Sequence, residues 1–196
     1  MINIEALRDT LKERGFSTSY FDTASDAAAY LNQEIDGVSV GIGGSVTVQE
    51  MGLYDTLSTH NQVVWHWASN TTEEAVHTDV YLSSVNGVAE TGELINIDGN
   101  GNRVASTLFG HKKVYLIIGT NKIAPNYEKA LWRARNIAAP LNAKRLQVKT
   151  PCAALGDKCY DCHSPARICK ALVVLWEKPN QAGEIEVVIV GEKLGY

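Results

Sequence analysis

Short apolar runs alternating with helix-patterned segments leave this chain few architectures. Val38-Ser39-Val40, Val63-Val64-Trp65, Val80 to Val85 and Lys113 to Ile118 read as buried strands. Between them, apolar residues recur at helical spacing, as in Ile4, Leu7 and Leu11, or Ala27, Ala28, Leu31 and Ile35. Parallel strands need such helical crossovers, which then cover both faces of the sheet. The expectation is an α/β fold with a mixed, mostly parallel sheet flanked by helices. In folds of this kind ligands collect beyond the carboxyl ends of the strands.

Further elements fill the frame. Gly15 closes the first helix, and Ser17 to Phe21 can form a short strand. A helix is expected from Thr47 to Leu57, another near Thr72 to Val76, and a short one over Val104 to Phe109. Glu93 to Ile97 alternates like a strand. Tyr127, Ala130, Leu131, Ala134, Ile137 and Ala138 give the cleanest helix, with Pro140 either kinking it or opening a new one. Ala171 to Leu175 and Ile185 to Val190 flank a Pro-Asn-Gln-Ala-Gly turn and suggest an antiparallel hairpin.

With 196 residues and no linker or repeat, the chain suits one domain over 1–196, including a cysteine-rich loop at 150–170. A net charge of -4 argues against a general nucleic-acid binder. No apolar run reaches the roughly 20 residues that cross a bilayer. Met1 to Glu5 has neither the basic nor the apolar part of a signal peptide, so a cytoplasmic location is expected.

Gly41-Ile42-Gly43-Gly44-Ser45-Val46-Thr47 joins a strand to a helix. Glycines there let the backbone approach a ligand, and a phosphate or carboxylate would suit the loop. Gly41, Gly43, Gly44, Ser45 and Thr47 are therefore candidate ligand contacts. Val46 replaces the third glycine of a dinucleotide fingerprint, no Gly-Lys-Ser/Thr follows, and Thr47 ends the likeness to a nucleophile elbow. A plainer role has Thr47 and Glu50 forming a capping box. Glu50 lies on the apolar stripe of Val46, Leu53 and Leu57, where a carboxylate must cap or serve a pocket.

An acidic turn, Ala89-Glu90-Thr91-Gly92-Glu93, follows a buried-looking strand. Glu90 is a second candidate acid–base group, with Thr91, Gly92, Asp98 and Asn100 as further candidate ligand contacts. Asp98, Asn100 and Asn102 imitate the start of a calcium loop, but Arg103 stands where such a loop needs glycine. A tight turn explains the run equally well.

Cys152, Cys159, Cys162 and Cys169 are spaced by six, two and six residues, with no cysteine elsewhere. Four thiols so crowded in a cytosolic chain favour metal ligation over disulfides. Either zinc or an iron–sulfur cluster fits, and spacing does not choose between them. Lys149, Lys158, Arg167 and Lys170 lie close enough in sequence to offset the thiolate charge.

Gly41 to Gly52, Ala89 to Arg103, the Phe109-Gly-His-Lys-Lys-Val114 stretch and Gly119-Thr-Asn-Lys122 together resemble the lactate-utilisation (LUD) domain family. The resemblance implies a fold like that of ribose-5-phosphate isomerase, glucosamine-6-phosphate deaminase and family I coenzyme A transferases. In those transferases a glycine-rich loop faces a glutamate in a Glu-Asn-Gly turn. Glu90-Thr91-Gly92 is similar in kind, with Thr91 in place of asparagine. The resemblance further implies oxidation of lactate alongside iron–sulfur partner subunits.

The resulting expectation is a redox-linked metabolic protein, an oxidoreductase-associated subunit or a stand-alone relative. It would bind a small anion at the glycine loop, use Glu50 and Glu90 as acid–base groups and hold its metal centre at the four cysteines. Its partners would be iron–sulfur oxidoreductase subunits or a second copy, without nucleic acid or a membrane span. The alternatives are a non-catalytic ligand-binding or regulatory module with structural zinc, and a transferase or hydrolase of coenzyme A thioesters.

Overall fold

A computed structural model describes residues 2–69 and 73–196. Its strands, in chain order, are β1 (Ser17–Phe21), β2 (Ser39–Ile42), β3 (Gln62–Trp65), β4 (Val80–Ser83), β5 (Gly87–Ala89), β6 (Leu94–Asp98), β7 (Lys113–Gly119), β8 (Ile123–Ala124), β9 (Ala171–Leu175) and β10 (Glu184–Val190). The α-helices are α1 (Ile4–Glu13), α2 (Ala24–Glu34), α3 (Val46–Glu50), α4 (Leu53–Leu57), α5 (His66–Ser69), α6 (Asn102–Leu108), α7 (Tyr127–Arg133), α8 (Ala139–Arg145) and α9 (Pro151–Leu155).

Six strands form an all-parallel sheet in the order β1-β10-β7-β4-β2-β3. The others form a smaller mixed sheet, β8-β5-β6-β9. The expected single sheet is thus two, and apolar patterning explains how they stack. Val188 and Val190 of β10 face Leu31, Ile35, Val48 and Leu57 on one side of the large sheet. Val187 and Ile189 face the other side, where they join Leu7 and Leu11 of α1 with Val88, Leu94 and Leu175 of the small sheet. Alternate residues of the small sheet, Ala89 and Ile95, turn outward to Ala130 and Ala134. The result is four layers: helices, large sheet, small sheet with α1, and the α7 side.

Several expectations need correction. The C-terminal hairpin does not form, because β9 and β10 belong to different sheets. β10 is buried on both faces along nearly its whole length, which suits the interior of a parallel sheet, whereas β9 is half exposed and edges the small sheet. The helix expected from Thr47 to Leu57 breaks at Gly52, whose φ of +64° glycine adopts without strain. Of the helix expected over Thr72 to Val76, Thr72 lies outside the described residues, and Glu74–His77 forms a 3-10 turn. The long helix continues through Pro140 by way of a π turn at Ala134–Ala138. Proline lacks the N–H that the Asn136 carbonyl would accept in an α-helix, and the wider turn absorbs the mismatch.

No described helix is long and apolar enough to cross a membrane. Gly41 sits where β2 crosses the 3-10 turn before β4, and a Cβ there would lie 2.5 Å from the Ala75 carbonyl oxygen and 2.7 Å from Thr78 Oγ1. Gly41→Ala should therefore cost about 1–3 kcal/mol of unfolding free energy, measured by urea titration. An unchanged midpoint would contradict this packing.

Candidate functional site

A cavity of about 250 Å³ opens beyond the carboxyl ends of the parallel strands. Its walls come from the segments after β2 (Gly44 to Thr47), β3 (His66, Trp67), β4 (Ser84 to Asn86) and β7 (Lys122). The chain leaves β2 towards β3 on one side and leaves β4 towards β7 on the other. Connections diverging from neighbouring strands leave a crevice between them, which is where α/β folds bind ligands. Asp98, Asn100 and Arg103 close it from the small sheet, and Asn142 and Arg145 of α8 stand at its rim.

Lys122 follows β7 in a single 3-10 turn and is only 4% exposed. Its Nζ donates to Thr47 Oγ1 at 2.8 Å and to Ser84 Oγ at 2.7 Å. Each hydroxyl gives its own proton to a main-chain carbonyl, Leu194 for Thr47 and Ile117 for Ser84, so each can only accept from the amine. A neutral amine satisfies both with its two N–H groups, and a protonated one has a third to spare. Either way one tetrahedral position is left over, on a residue that lines the cavity. No carboxylate lies within ion-pair distance of Nζ among the described residues. Burial, then the charges of Arg133 and Arg103, push its pKa down to about 7, against a smaller upward pull from Glu50.

Two further arginines are committed to bracing. Arg103 donates to the carbonyls of Ser84 and Ile97 and to the amide oxygens of Asn86 and Asn96, while its Nε lies 3.7 Å from Asp98. Arg133 ties the Asn121 carbonyl to the Asn86 carbonyl, both at 2.6 Å. Asp98 receives the amides of Asn100, Gly101 and Val104, which fastens the turn into α6. Arg145 differs. Its Nε and one Nη bind Asn142 Oδ1 and its guanidinium lies 4.6 Å from the Trp67 ring centroid, leaving Nη1 without a hydrogen bond among the described residues. Burial lowers the pKa of His66, so the imidazole beside Gly44 is neutral at neutral pH. Two arginines and Lys122, whose amine is only partly protonated at neutral pH, face one side-chain carboxylate, Asp98, across the cavity of a chain of net charge -4.

The residues singled out from sequence divide. Gly44, Ser45, Thr47, Asp98 and Asn100 line the cavity. Gly41 and Gly43 stand behind it: a Cβ on Gly43 would lie 2.6 Å from the Tyr81 hydroxyl, so packing of β2 on β4 accounts for both glycines. Ser45, not Thr47, caps α3, by accepting from Val48 N. Glu50 is exposed and accepts from Gly195 N at 2.7 Å, which holds the tail that brings Tyr196 to the cavity wall. Glu90, Thr91 and Gly92 do not line the cavity; their turn packs on α1, where Arg14 pairs with Glu93 at 3.2 Å.

The four cysteines are half-buried free thiols. Among the described residues, no three thiol, imidazole or carboxylate groups converge closely enough to hold one metal ion. All four nevertheless line one small hollow, with Arg135, Arg167 and Thr150. Asp161, at φ +45°, turns its N–H back onto Cys159 Sγ at 3.3 Å. Arg167 donates to the carbonyls of Cys162 and Cys169, and the Cys169 thiol raises its pKa. Ala139 and Ile168 line both this hollow and the cavity.

Lys122, Arg103 and Arg145 were not among the candidate site residues read from sequence, and His66, beside Trp65 and Trp67, fits a packing role there equally well. The available signal was the family resemblance, whose stretches Ala89 to Arg103 and Gly119 to Lys122 end on two of them.

Such a fold and cavity define an α/β protein with an arginine- and lysine-lined cavity at a strand-order switch point. The chain belongs to the LUD domain family, whose model matches residues 4–190. A crystal structure of a DUF162 family protein from Deinococcus radiodurans superposes with a TM-score of 0.57 over 96% of each chain, at 11% identity, a likeness of fold. Comparison with curated proteins gave no match.

Because the folded pKa of Lys122 lies below its ordinary value of 10.5, the unfolded chain binds a proton that the folded chain lacks between about pH 7 and 10.5. The burial penalty is thus fully present below that window and relieved as pH rises through it. Relative to Lys122→Met, the wild type should gain stability from pH 7 to 9 in urea titrations. Parallel curves for the two proteins would contradict the assignment.

Proposed function

We propose that this LUD protein is a redox-linked metabolic subunit of the lactate-utilisation type. Its cavity takes a small carboxylate or phosphorylated metabolite, and its four cysteines hold an iron–sulfur cluster beside it. The observation carrying this reading is adjacency: a cavity with unspent cationic donors at Lys122 and Arg145 shares Ala139 and Ile168 with a hollow lined by all four thiols.

The residues present fit a cluster. Zinc holds thiolate sulfur at about 2.3 Å, which packs four tetrahedral sulfurs roughly 3.8 Å apart. Thiols placed around a hollow without converging on a point suit a multi-atom core better. The amide donated to Cys159 Sγ and the cations Arg135 and Arg167 would offset thiolate charge. Bound there, a cluster supplies one-electron transfer. The chain's own part is to hold the anion at Lys122 and Arg145, with His66 as a neutral acid–base group in the same cavity and Asp98 keeping the α6 turn in place. Glu50 acts through the tail it anchors. Fitting partners are iron–sulfur oxidoreductase subunits or a second copy of the chain. A thioester transferase centred on Glu90 draws no support from a cavity that Glu90 does not line.

Titration calorimetry should detect binding of phosphate, lactate or pyruvate, and Arg145→Ala should weaken it roughly 5–10-fold, about 1–1.4 kcal/mol for a partly exposed charge-assisted contact. Equal affinity in the variant would remove Arg145 from the site. Protein purified without oxygen should carry iron and inorganic sulfide and absorb in the visible, and Cys162→Ser should lose both. Stoichiometric zinc without iron would replace the cluster with a structural metal, whose removal would then melt the 150–170 loop.

A further inference from the structure

We infer that Lys122 is an imine-forming residue, and that the cavity accepts small carbonyl compounds bearing a carboxylate or phosphate group. The inference rests on the reading of the cavity as an anion site and adds covalent chemistry to it.

Three observations support it. First, Nζ donates to two hydroxyls whose own protons point to main-chain carbonyls, which leaves one tetrahedral position unspent on a residue that lines the cavity. In the neutral amine that position carries the lone pair. Second, no carboxylate pairs with Nζ among the described residues, while Arg103 and Arg133 stand near enough to disfavour its protonation. Desolvation and neighbouring cations are the two devices that keep a lysine nucleophilic near neutral pH. Third, the same cavity offers Arg145 Nη1 for the anionic end of a small molecule and the neutral imidazole of His66 for moving protons.

The step balances without any co-reactant. The Nζ lone pair attacks the carbonyl carbon and forms a C–N bond, while the carbonyl π pair moves to oxygen. That oxygen then leaves as water with the two amine protons, giving C=N at an unchanged oxidation state. If the product is protonated, its one N–H still serves one of the two hydroxyls. In a ligand held this way the protonated imine is an electron sink for a pair released at the neighbouring carbon, a property that simple anion binding does not confer.

The test uses the intact wild-type protein. Glyoxylate or glycolaldehyde phosphate is added at pH 7, the mixture is reduced with borohydride, and the modified lysines are mapped by peptide mass spectrometry. The expected result is labelling at Lys122 more than tenfold above the exposed lysines, suppressed by phosphate. A folded Lys122→Arg variant, checked by its thermal transition, should lose that adduct alone. Adducts spread over exposed lysines with Lys122 unlabelled would overturn the proposal. Phosphate calorimetry on the same preparation separates the two readings. Binding of phosphate with no adduct at Lys122 rejects the imine and leaves the anion site standing, whereas loss of both rejects both. An adduct at Lys122 that phosphate does not suppress keeps the imine and removes the shared cavity.

Discussion

One buried amine holds the strand ends together. Lys122 comes from the turn after β7, yet its Nζ is shared between Thr47, after β2, and Ser84, after β4. Thr47 in turn reaches the Leu194 carbonyl, which lies beyond β10. Three of the six parallel strands thus send the segments after their carboxyl ends to a single nitrogen, and a fourth joins them through Thr47. A parallel sheet fixes where strands lie but not where their loops go. Here a polar knot does the latter, and burying it away from water makes each partner obligatory.

The fold was legible because its strands are apolar on two faces and its helices on one. What the pattern left open was partnership. β9 and β10 follow each other across a short turn, and adjacency in sequence suggested a hairpin. The burial of β10 on both faces, which a reading of its continuous Ile185 to Val190 run allows, instead belongs to the middle of a parallel sheet. Glycine told a similar story. The run from Gly41 to Gly44 marked the right loop, but only Gly44 meets the cavity, because Gly41 and Gly43 are small for the sake of Ala75 and Tyr81.

The cavity was less legible, for an electrostatic reason. Sequence reading drew notice to carboxylates, Glu50 on an apolar stripe and Glu90 in a turn after a buried-looking strand, whereas this cavity is furnished mainly with basic side chains. Arg103 lay inside a turn whose aspartate and asparagines already had an explanation, Lys122 entered only as the end of a family-like stretch, and nothing in the local pattern marked Arg145. Their significance depends on long-range contacts, such as Lys122 with Thr47 or Arg145 with Trp67, that no local pattern encodes. The cysteines were the opposite case: their spacing announced them, and the fold supplied what spacing could not, a wall held in common with the cavity.

The π turn at Ala134–Ala138 has a geometric consequence. Each residue of an α-helix advances its side chains by about 100°, so a turn one residue wider resets the angular phase of all that follows. The face that α7 lays on the small sheet and the faces that α8 offers to the cavity and the thiols are therefore uncoupled, although the helical segments follow one another without a break. Asn142 and Arg145 look into the cavity, and Pro140 and Ala143 back the thiols, only because of that offset. Removing a single residue from the turn would spin the whole of α8 and swing both its faces off target together.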